Sequence, residues 1–238
     1  MDLTRIPVLW KDQDLLIINK PPDLLSLPDG YDPSLPYVKS LLFAEHGELW
    51  IVHRLDRFTS GVMILARNPD AHHALNTQFQ SRRVKKVYLA LVHGYPEWNT
   101  KLVRFPLRIN VGKHHRTIID FENGKESETQ FRVLDRFENY SLIEARPSSG
   151  RRHQIRAHIS SAGYPIVCDN LYGEQDQLIH TRMMGESNSE LSSVQPIMER
   201  LALHANSIQF DHPGDGQLCF IEAPLAQDFE LALAKLRN

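Results

Sequence analysis

Between positions 52 and 66 the chain reads Val-His-Arg-Leu-Asp-Arg-Phe-Thr-Ser-Gly-Val-Met-Ile-Leu-Ala, and its two halves differ in character. His53, Arg54, Asp56, Arg57, Thr59 and Ser60 crowd proton-carrying, nucleophilic and anion-binding groups into eight residues. Val62 to Ala66 is continuously apolar, the pattern of a strand covered on both faces. A polar loop pinned to a buried strand is where a scaffold usually carries its chemistry. Asp56 stands between the guanidinium groups of Arg54 and Arg57, which favour its ionised form at neutral pH. An ionised carboxylate can act as a nucleophile or as a base. The plain structural reading of the same residues is a surface loop closed by an ion pair.

Two further stretches carry chemical groups at suggestive spacing. Arg82, Arg83, Lys85 and Lys86 lead into an apolar segment that holds Tyr88. An aromatic ring beside four cations offers base stacking together with phosphate attraction, although a strand tyrosine is more often a packing residue. Later, Ser149-Gly150-Arg151-Arg152-His153-Gln154-Ile155-Arg156-Ala157-His158 predicts a helix over 151–161, entered at Ser149-Gly150 and stopped at Gly163. Arg152 and Arg156 then share a face at i,i+4. Cations at a helix N-terminus oppose the helix dipole, so anionic partners are expected, either RNA phosphate or Asp56.

These segments resemble the RluA-type pseudouridine synthases. The carriers are His53-Arg54-Leu55-Asp56-Arg57 with Thr59-Ser60-Gly61, then Lys85-Lys86-x-Tyr88-x-Ala90, and Gly150-Arg151-x-His153-Gln154-Ile155-Arg156-x-His158. Pro165-Ile166-x-Cys168-Asp169-x-x-Tyr172-Gly173 follows the family pattern except that Cys168 replaces a glycine. Asn19-Lys20-Pro21, Lys125 to Thr129 and Leu203-His204-Ala205 are lesser matches, and Asp23 also fills a position where the family has glycine. The matches keep their order and similar spacing across roughly residues 8–223. The resemblance implies an α+β fold, a mixed and mostly antiparallel sheet in two lobes with flanking helices and a central cleft. It implies a stand-alone catalytic domain over 1–238, without a separate N-terminal RNA-binding domain. It also implies the isomerisation of a uridine in tRNA or rRNA, with Asp56 as catalytic carboxylate, Arg156 orienting it and Tyr88 against the base. Arg54 is expected to enter the space left by the flipped base, with His53 supporting the loop. Arg57, Arg82, Arg83, Lys85, Lys86, Arg151 and His153 are expected to contact RNA.

The elements that must position these groups are legible from periodicity and punctuation. Strands are expected at Val8 to Trp10 and Leu15 to Asn19, with a helix from Tyr37 to His46 stopped by Gly47. Asn68-Pro69 is a helix start, with Leu75 and Phe79 packing inward. Strands follow at 87–93, 130–135, 141–145, 201–210 and 217–221, and an amphipathic helix at 224–237. Residues 101–116 read as basic and turn-rich, and 174–195 as a polar surface excursion.

Composition narrows the function classes. Apolar residues form 42% of the 238, and no run of 18 could cross a membrane as a helix. The N-terminus lacks a signal-peptide core, and Cys168 and Cys219 provide no disulfide framework, so a cytoplasmic monomer is expected. Net charge is −2, yet residues 51–116 hold twelve Lys and Arg against Asp56, Asp70 and Glu97. Such a distribution suits a polyanion docking on one side. Neither a cofactor nor a metal is expected, because the isomerisation oxidises nothing and loses no group. His72-His73 and His114-His115 prompt a metal hydrolase as an alternative, but adjacent histidines on a helix diverge and no His-Glu-x-x-His accompanies them. Thr59-Ser60-Gly61 precedes its strand and lacks the Gly-x-Ser-x-Gly of a serine hydrolase. A non-catalytic RNA-binding module is the other alternative, one that would have no use for Asp56 beside phosphates.

Overall fold

The computed structural model describes residues 6–173, 178–179 and 196–237. The expected excursion at 174–195 therefore lies, apart from residues 178–179, outside the described residues. The chain divides into two compact units, one formed by residues up to Val87 with His204–Leu225, the other by Tyr88–Leu203 with the C-terminal segment from Ala226.

In the first unit, β1 (Val8–Lys11) and β2 (Leu15–Lys20) form an antiparallel hairpin. Asp12 closes its turn, since one carboxylate oxygen accepts both the Asp14 and Leu15 N–H groups at 2.8 Å. Helix α1 (Val38–His46) stops at Gly47, whose φ of 70° is the left-handed region that glycine enters without strain. After β3 (Trp50–Ile51) and the polar loop comes β4 (Ser60–Ala66), buried along its whole length. It lies between β2, antiparallel, and β13 (Leu203–Asp211), parallel, and β3 also pairs with it. A strand flanked and covered on every side has to be apolar throughout, which is the reason for the unbroken Val62–Ala66 run. Helix α2 (Pro69–Gln80) begins as expected: the Asn68 side chain accepts the Ala71 N–H at 2.8 Å, and proline takes the first turn. Strand β14 (Leu218–Glu222) completes the unit by pairing with β13.

The second unit orders its main strands as β5 (Lys85–His93), β10 (Tyr140–Pro147), β9 (Thr129–Arg136) and β6 (Thr100–Val103), each antiparallel to its neighbour. The region read as turn-rich contains a hairpin of its own, β7 (Leu107–Val111) with β8 (Arg116–Ile119). Basic and polar residues on its exposed face hid the strand alternation. Helix α3 spans Gln154–Ser161, three residues later than expected. His153 has φ 53°, a left-handed conformation that no helix can contain. The Ser149 hydroxyl and the Arg151 N–H are instead both taken by the Gln154 amide oxygen, at 2.7 and 3.1 Å. Arg152 consequently precedes the helix and does not share a face with Arg156. Short strands β11 (Leu178–Ile179) and β12 (Pro196–Met198) pair with each other, and α4 (Gln227–Leu236) is tied back by the Arg200–Asp228 ion pair at 2.6 Å. Both units are thus α+β with mostly antiparallel strands, as the sequence led us to expect.

The two departures from the family pattern have a common geometry. Asp23 has φ 61° and Cys168 φ 57°. The backbone keeps at both places the conformation glycine adopts freely, and the substituted side chains carry the strain.

Gly61 is a glycine this fold cannot replace. Its φ is 113°, and a Cβ there would lie 2.2 Å from the Ala205 carbonyl oxygen across the β4–β13 pairing. Gly61→Ala should therefore cost about 3 kcal/mol or more, from backbone strain plus strand separation. Gly47→Ala, which has open space around it, should cost only about 1 kcal/mol. Urea denaturation of the two variants checks the contrast.

Candidate active site

The loop from Val52 to Thr59 is held from several directions. Lys20, at the end of β2, is fully buried, and its Nζ donates to the carbonyls of Pro21 at 2.8 Å, Leu24 at 2.9 Å and Arg57 at 3.1 Å. A buried cation is tolerated only when hydrogen-bonded, and here its bonds tie the turn after β2 to the far side of the loop. Buried Ser26 donates to the Leu55 carbonyl at 2.8 Å and accepts the Leu55 N–H at 3.1 Å. The Thr59 N–H returns to the Asp56 carbonyl at 3.0 Å, closing a tight turn under Asp56. Asp56 itself is half-buried.

His53 anchors the start of the loop. Its Nε2 accepts the Ile64 N–H at 2.9 Å, and its ring stacks on Phe79 of α2 at 4.9 Å. Burial, with a smaller push from the charge of Lys86, pulls its pKa down to about 3. At the other end, the buried Ser60 hydroxyl lies 2.9 Å from His204 Nδ1. His204 Nε2 faces the Ala223 carbonyl at 3.2 Å and must donate to it, so Nδ1 accepts from Ser60.

The expected RNA-contact residues of this unit divide into two kinds. Arg54, Arg57, Arg82, Arg83 and Lys85 are exposed, whereas Lys86 is half-buried. Arg57 directs its Nε to Asp23 at 2.7 Å and lies over the Phe58 ring, and Arg83 pairs with Asp211 at 3.4 Å. Arg82 adopts φ 58° at the end of α2, which turns the chain into β5.

In the second unit, Tyr88 is half-buried on β5, paired in register with Ala145. Arg156 forms a bidentate pair with the fully buried Asp169, at 2.8 and 2.7 Å. Asp169 also accepts the Leu171 and Tyr172 N–H groups at 3.0 and 3.1 Å. The Arg156 guanidinium lies 5.0 Å from the Tyr172 ring centroid, and Arg116 lies 5.1 Å from it. Burial raises the Tyr172 phenol, which accepts the Thr117 N–H at 2.6 Å and meets His153 Nδ1 at 3.1 Å. His153 is thus joined to Arg156 through Tyr172, while the half-buried Arg151 uses its backbone N–H on Gln154.

Gln154 and His158 are structural members of the same motif. Gln154 donates to the Glu128 carbonyl and to Thr129 at 2.9 and 3.0 Å. His158 Nε2 donates to the Phe105 carbonyl at 3.1 Å, leaving Nδ1 to accept from Thr129 at 2.9 Å.

Lys20, Asp169 and Tyr172 are the site residues that sequence reasoning did not assign. All three stood in quoted motifs, Asn19-Lys20-Pro21 and Asp169-x-x-Tyr172, but a motif does not say which carbonyl or guanidinium its residues meet. Among the described residues, metal-ligating types gather at Asp12, Asp14 and His212. There His212 Nε2 faces Asp12 at 3.0 Å and Nδ1 accepts the Gly214 N–H at 3.1 Å, which uses both ring nitrogens in joining two turns.

Two measurements test this reading of the loop. Lys20→Met leaves three carbonyls without their donor, and the chain should lose roughly 3 kcal/mol of stability, with a lower kcat in the folded fraction. For His53, the folded value lies below the unfolded one, so the unfolded chain binds the extra proton first. Its contribution to stability is complete above about pH 6.5 and falls by up to ~1.4 kcal/mol per pH unit towards pH 3. Urea midpoints measured from pH 7 to pH 5 should drop, and His53→Gln should flatten the slope.

Residues 14–161 match the family model described as RNA pseudouridylate synthase. The ribosomal large subunit pseudouridine synthase C of Haemophilus ducreyi is 37% identical over 233 residues, covering 97% of this chain and 69% of that protein. The protein of the same name from Escherichia coli K12 is 36% identical over 234 residues, covering 97% and 70%. Among solved structures, human RNA Pseudouridylate Synthase Domain Containing 4 superposes with a TM-score of 0.76 at 25% identity, covering 97% of this chain and 93% of that one. No described helix is long and apolar enough to cross a membrane. With its motifs, fold and relatives in agreement, this chain belongs to the RNA pseudouridylate synthase family and is an RNA pseudouridine synthase, an isomerase.

Proposed function

We propose that Asp56 is the catalytic carboxylate, that Tyr88 and Arg156 serve the same reaction, and that the substrate is large-subunit ribosomal RNA. The observation that carries the first part is the fixation of the loop. Lys20 holds Arg57, Ser26 holds Leu55 and Thr59 holds the Asp56 carbonyl, so the carboxylate is presented from a backbone that has little freedom left to lose. Groups held in place before the substrate arrives contribute most of an enzyme's orientation advantage.

The reaction breaks the C1′–N1 glycosidic bond, turns the uracil and rejoins it through C5. Asp56 can serve it as a nucleophile at C1′ or C6, or as a base for a ribose proton. Tyr88 stacks on the target base, and Arg156, oriented by Asp169, supplies a fixed guanidinium. A uridine within a stem or loop has to leave its stack, at a cost of a few kcal/mol. Exposed Arg54 fills the vacated position, and Arg57, Arg82, Arg83, Lys85, Arg151 and His153 contact the backbone. The ribosomal target is supported by the names of the bacterial relatives, and the enzyme is proposed to act in the cytoplasm, as a monomer and without a metal.

Pseudouridine mapping of total RNA from cells with and without the gene checks the target: one or more large-subunit sites should disappear. Asp56→Ala should bind RNA within about threefold of the parent and restore none of them, since the carboxylate has no substitute. Full activity of this variant would end the assignment of Asp56.

A further inference from the structure

The first unit carries a groove of about 660 Å³ that none of residues 52–60 lines. One wall belongs to the β1–β2 hairpin, as Trp10, Leu15 and Ile17. Trp10 pairs with Ile17 in register, so all three side chains share one face. The other wall is β14, where Leu218, Cys219, Phe220 and Ile221 line the groove in succession. Side chains alternate along a strand, so a groove that meets four consecutive residues runs along the strand's edge. Among the described residues β14 pairs only with β13, which leaves that edge open. An open edge presents a row of N–H and C=O groups to which an extended chain can add. The walls are also apolar where they meet water: Trp10 is 48% exposed, Phe220 61% and Leu218 67%. Large apolar side chains gathered in this way mark an interaction site. The Trp10 indole is held in place, since its Nε1 donates to Asp12 at 2.6 Å.

Charge selects the partner. The lining includes Asp12 and Asp215, which His212 approaches at 3.0 and 3.3 Å, and neither lysine nor arginine. Lys11 pairs with Leu16 and takes the opposite face from Trp10. Burial, and then the charges of Asp215, Asp12 and Asp211, push the Cys219 thiol up, as a negative groove requires. A polyanion such as RNA is repelled by such walls, and a second copy would bring the same carboxylates together. We propose that the groove binds an extended protein segment carrying Lys or Arg between apolar residues, added as a strand to the open edge of β14. Its apolar side chains lie against Trp10 and Phe220, and its cations face Asp12 and Asp215. The main-chain bonds supply affinity, and the alternating apolar and acidic walls supply selection. Neither Asp56 nor the identity of the RNA enters this assignment.

The test uses the full chain with a labelled synthetic peptide that alternates Lys and Val, beside a control in which Glu replaces every Lys. Fluorescence anisotropy at physiological ionic strength reports affinity, and amide hydrogen exchange reports where the peptide lies. The Lys–Val peptide should bind saturably and slow exchange within Leu218–Glu222 by ~10-fold, and the Glu–Val peptide should not bind. Phe220→Ala should weaken the Lys–Val peptide by ~10-fold, and Asp215→Asn by about threefold with a smaller salt dependence. Both side chains are exposed, so the variants keep the fold, and tritium release from RNA labelled with 5-tritiated uridine should stay at the parent rate. Equal binding of the two peptides overturns the proposal, as does unslowed exchange in β14 or an unchanged peptide affinity in Phe220→Ala. Filter binding and sedimentation identify any other occupant. A Phe220→Ala chain that loses RNA affinity would make the groove an RNA surface, and one that turns a dimer into a monomer would make it a self-association face; either result overturns the proposal.

Discussion

The first unit depends on a charge that has nowhere else to go. Lys20 is fully buried at the end of β2, and the cost of removing its ammonium from water is met by the carbonyls of Pro21, Leu24 and Arg57. The sheet register places that charge where it matters. Lys20 pairs with Gly61 on β4, and Gly61 pairs with Ala205 on β13, so one row of the sheet contains the buried cation, the strand start and a backbone approach too close for a Cβ. The loop that ends at Gly61 inherits its position from this row. Ser60 and His204 extend the same junction with a buried hydrogen bond that has one possible direction.

The second unit solves the same problem with different chemistry. Asp169 is completely buried, and it is satisfied by two bonds from Arg156 and two backbone N–H groups. Tyr172 then lies against the guanidiniums of Arg156 and Arg116 and takes the Thr117 N–H, so the β7–β8 hairpin and α3 are joined through one phenol. Thr129, Gln154 and His158 form a second fully hydrogen-bonded group beneath the helix. Buried polar networks of this kind specify a geometry more than they add stability, because any rearrangement leaves a member unpaired. In both units, residues that a sequence motif displays as a row of polar letters split into those that present a group and those that hold it.

The fold was legible wherever local pattern decides. Val62 to Ala66 could only be a covered strand, Asn68-Pro69 could only open a helix, and Gly47 marked the end of α1. The misses have identifiable causes. Strands β7 and β8 were hidden by Arg108, Asn110 and Arg116, exposed side chains that mask alternation. The start of α3 was misplaced because Ser149 reads as a cap; its hydroxyl meets the Gln154 side chain, and His153 occupies a left-handed conformation that no propensity scale anticipates. Asp23 and Cys168 read as departures from a pattern, and only their dihedral angles show that the turns were kept.

The sequence by itself determined the family and with it the reaction, because several motifs in fixed order are far more specific than any one of them. It also determined most of the core strands and the helices, though not the β7–β8 hairpin, since hydrophobic period and capping chemistry act over a few residues. Only the tertiary structure decided that Lys20 reaches Arg57, that Arg156 is claimed by Asp169 and that Lys86 is half-buried while Lys85 is exposed. Those choices depend on sheet register and burial, which bring together residues tens of positions apart. Neighbouring residues carry no record of which carbonyl or carboxylate will meet a long, flexible cation.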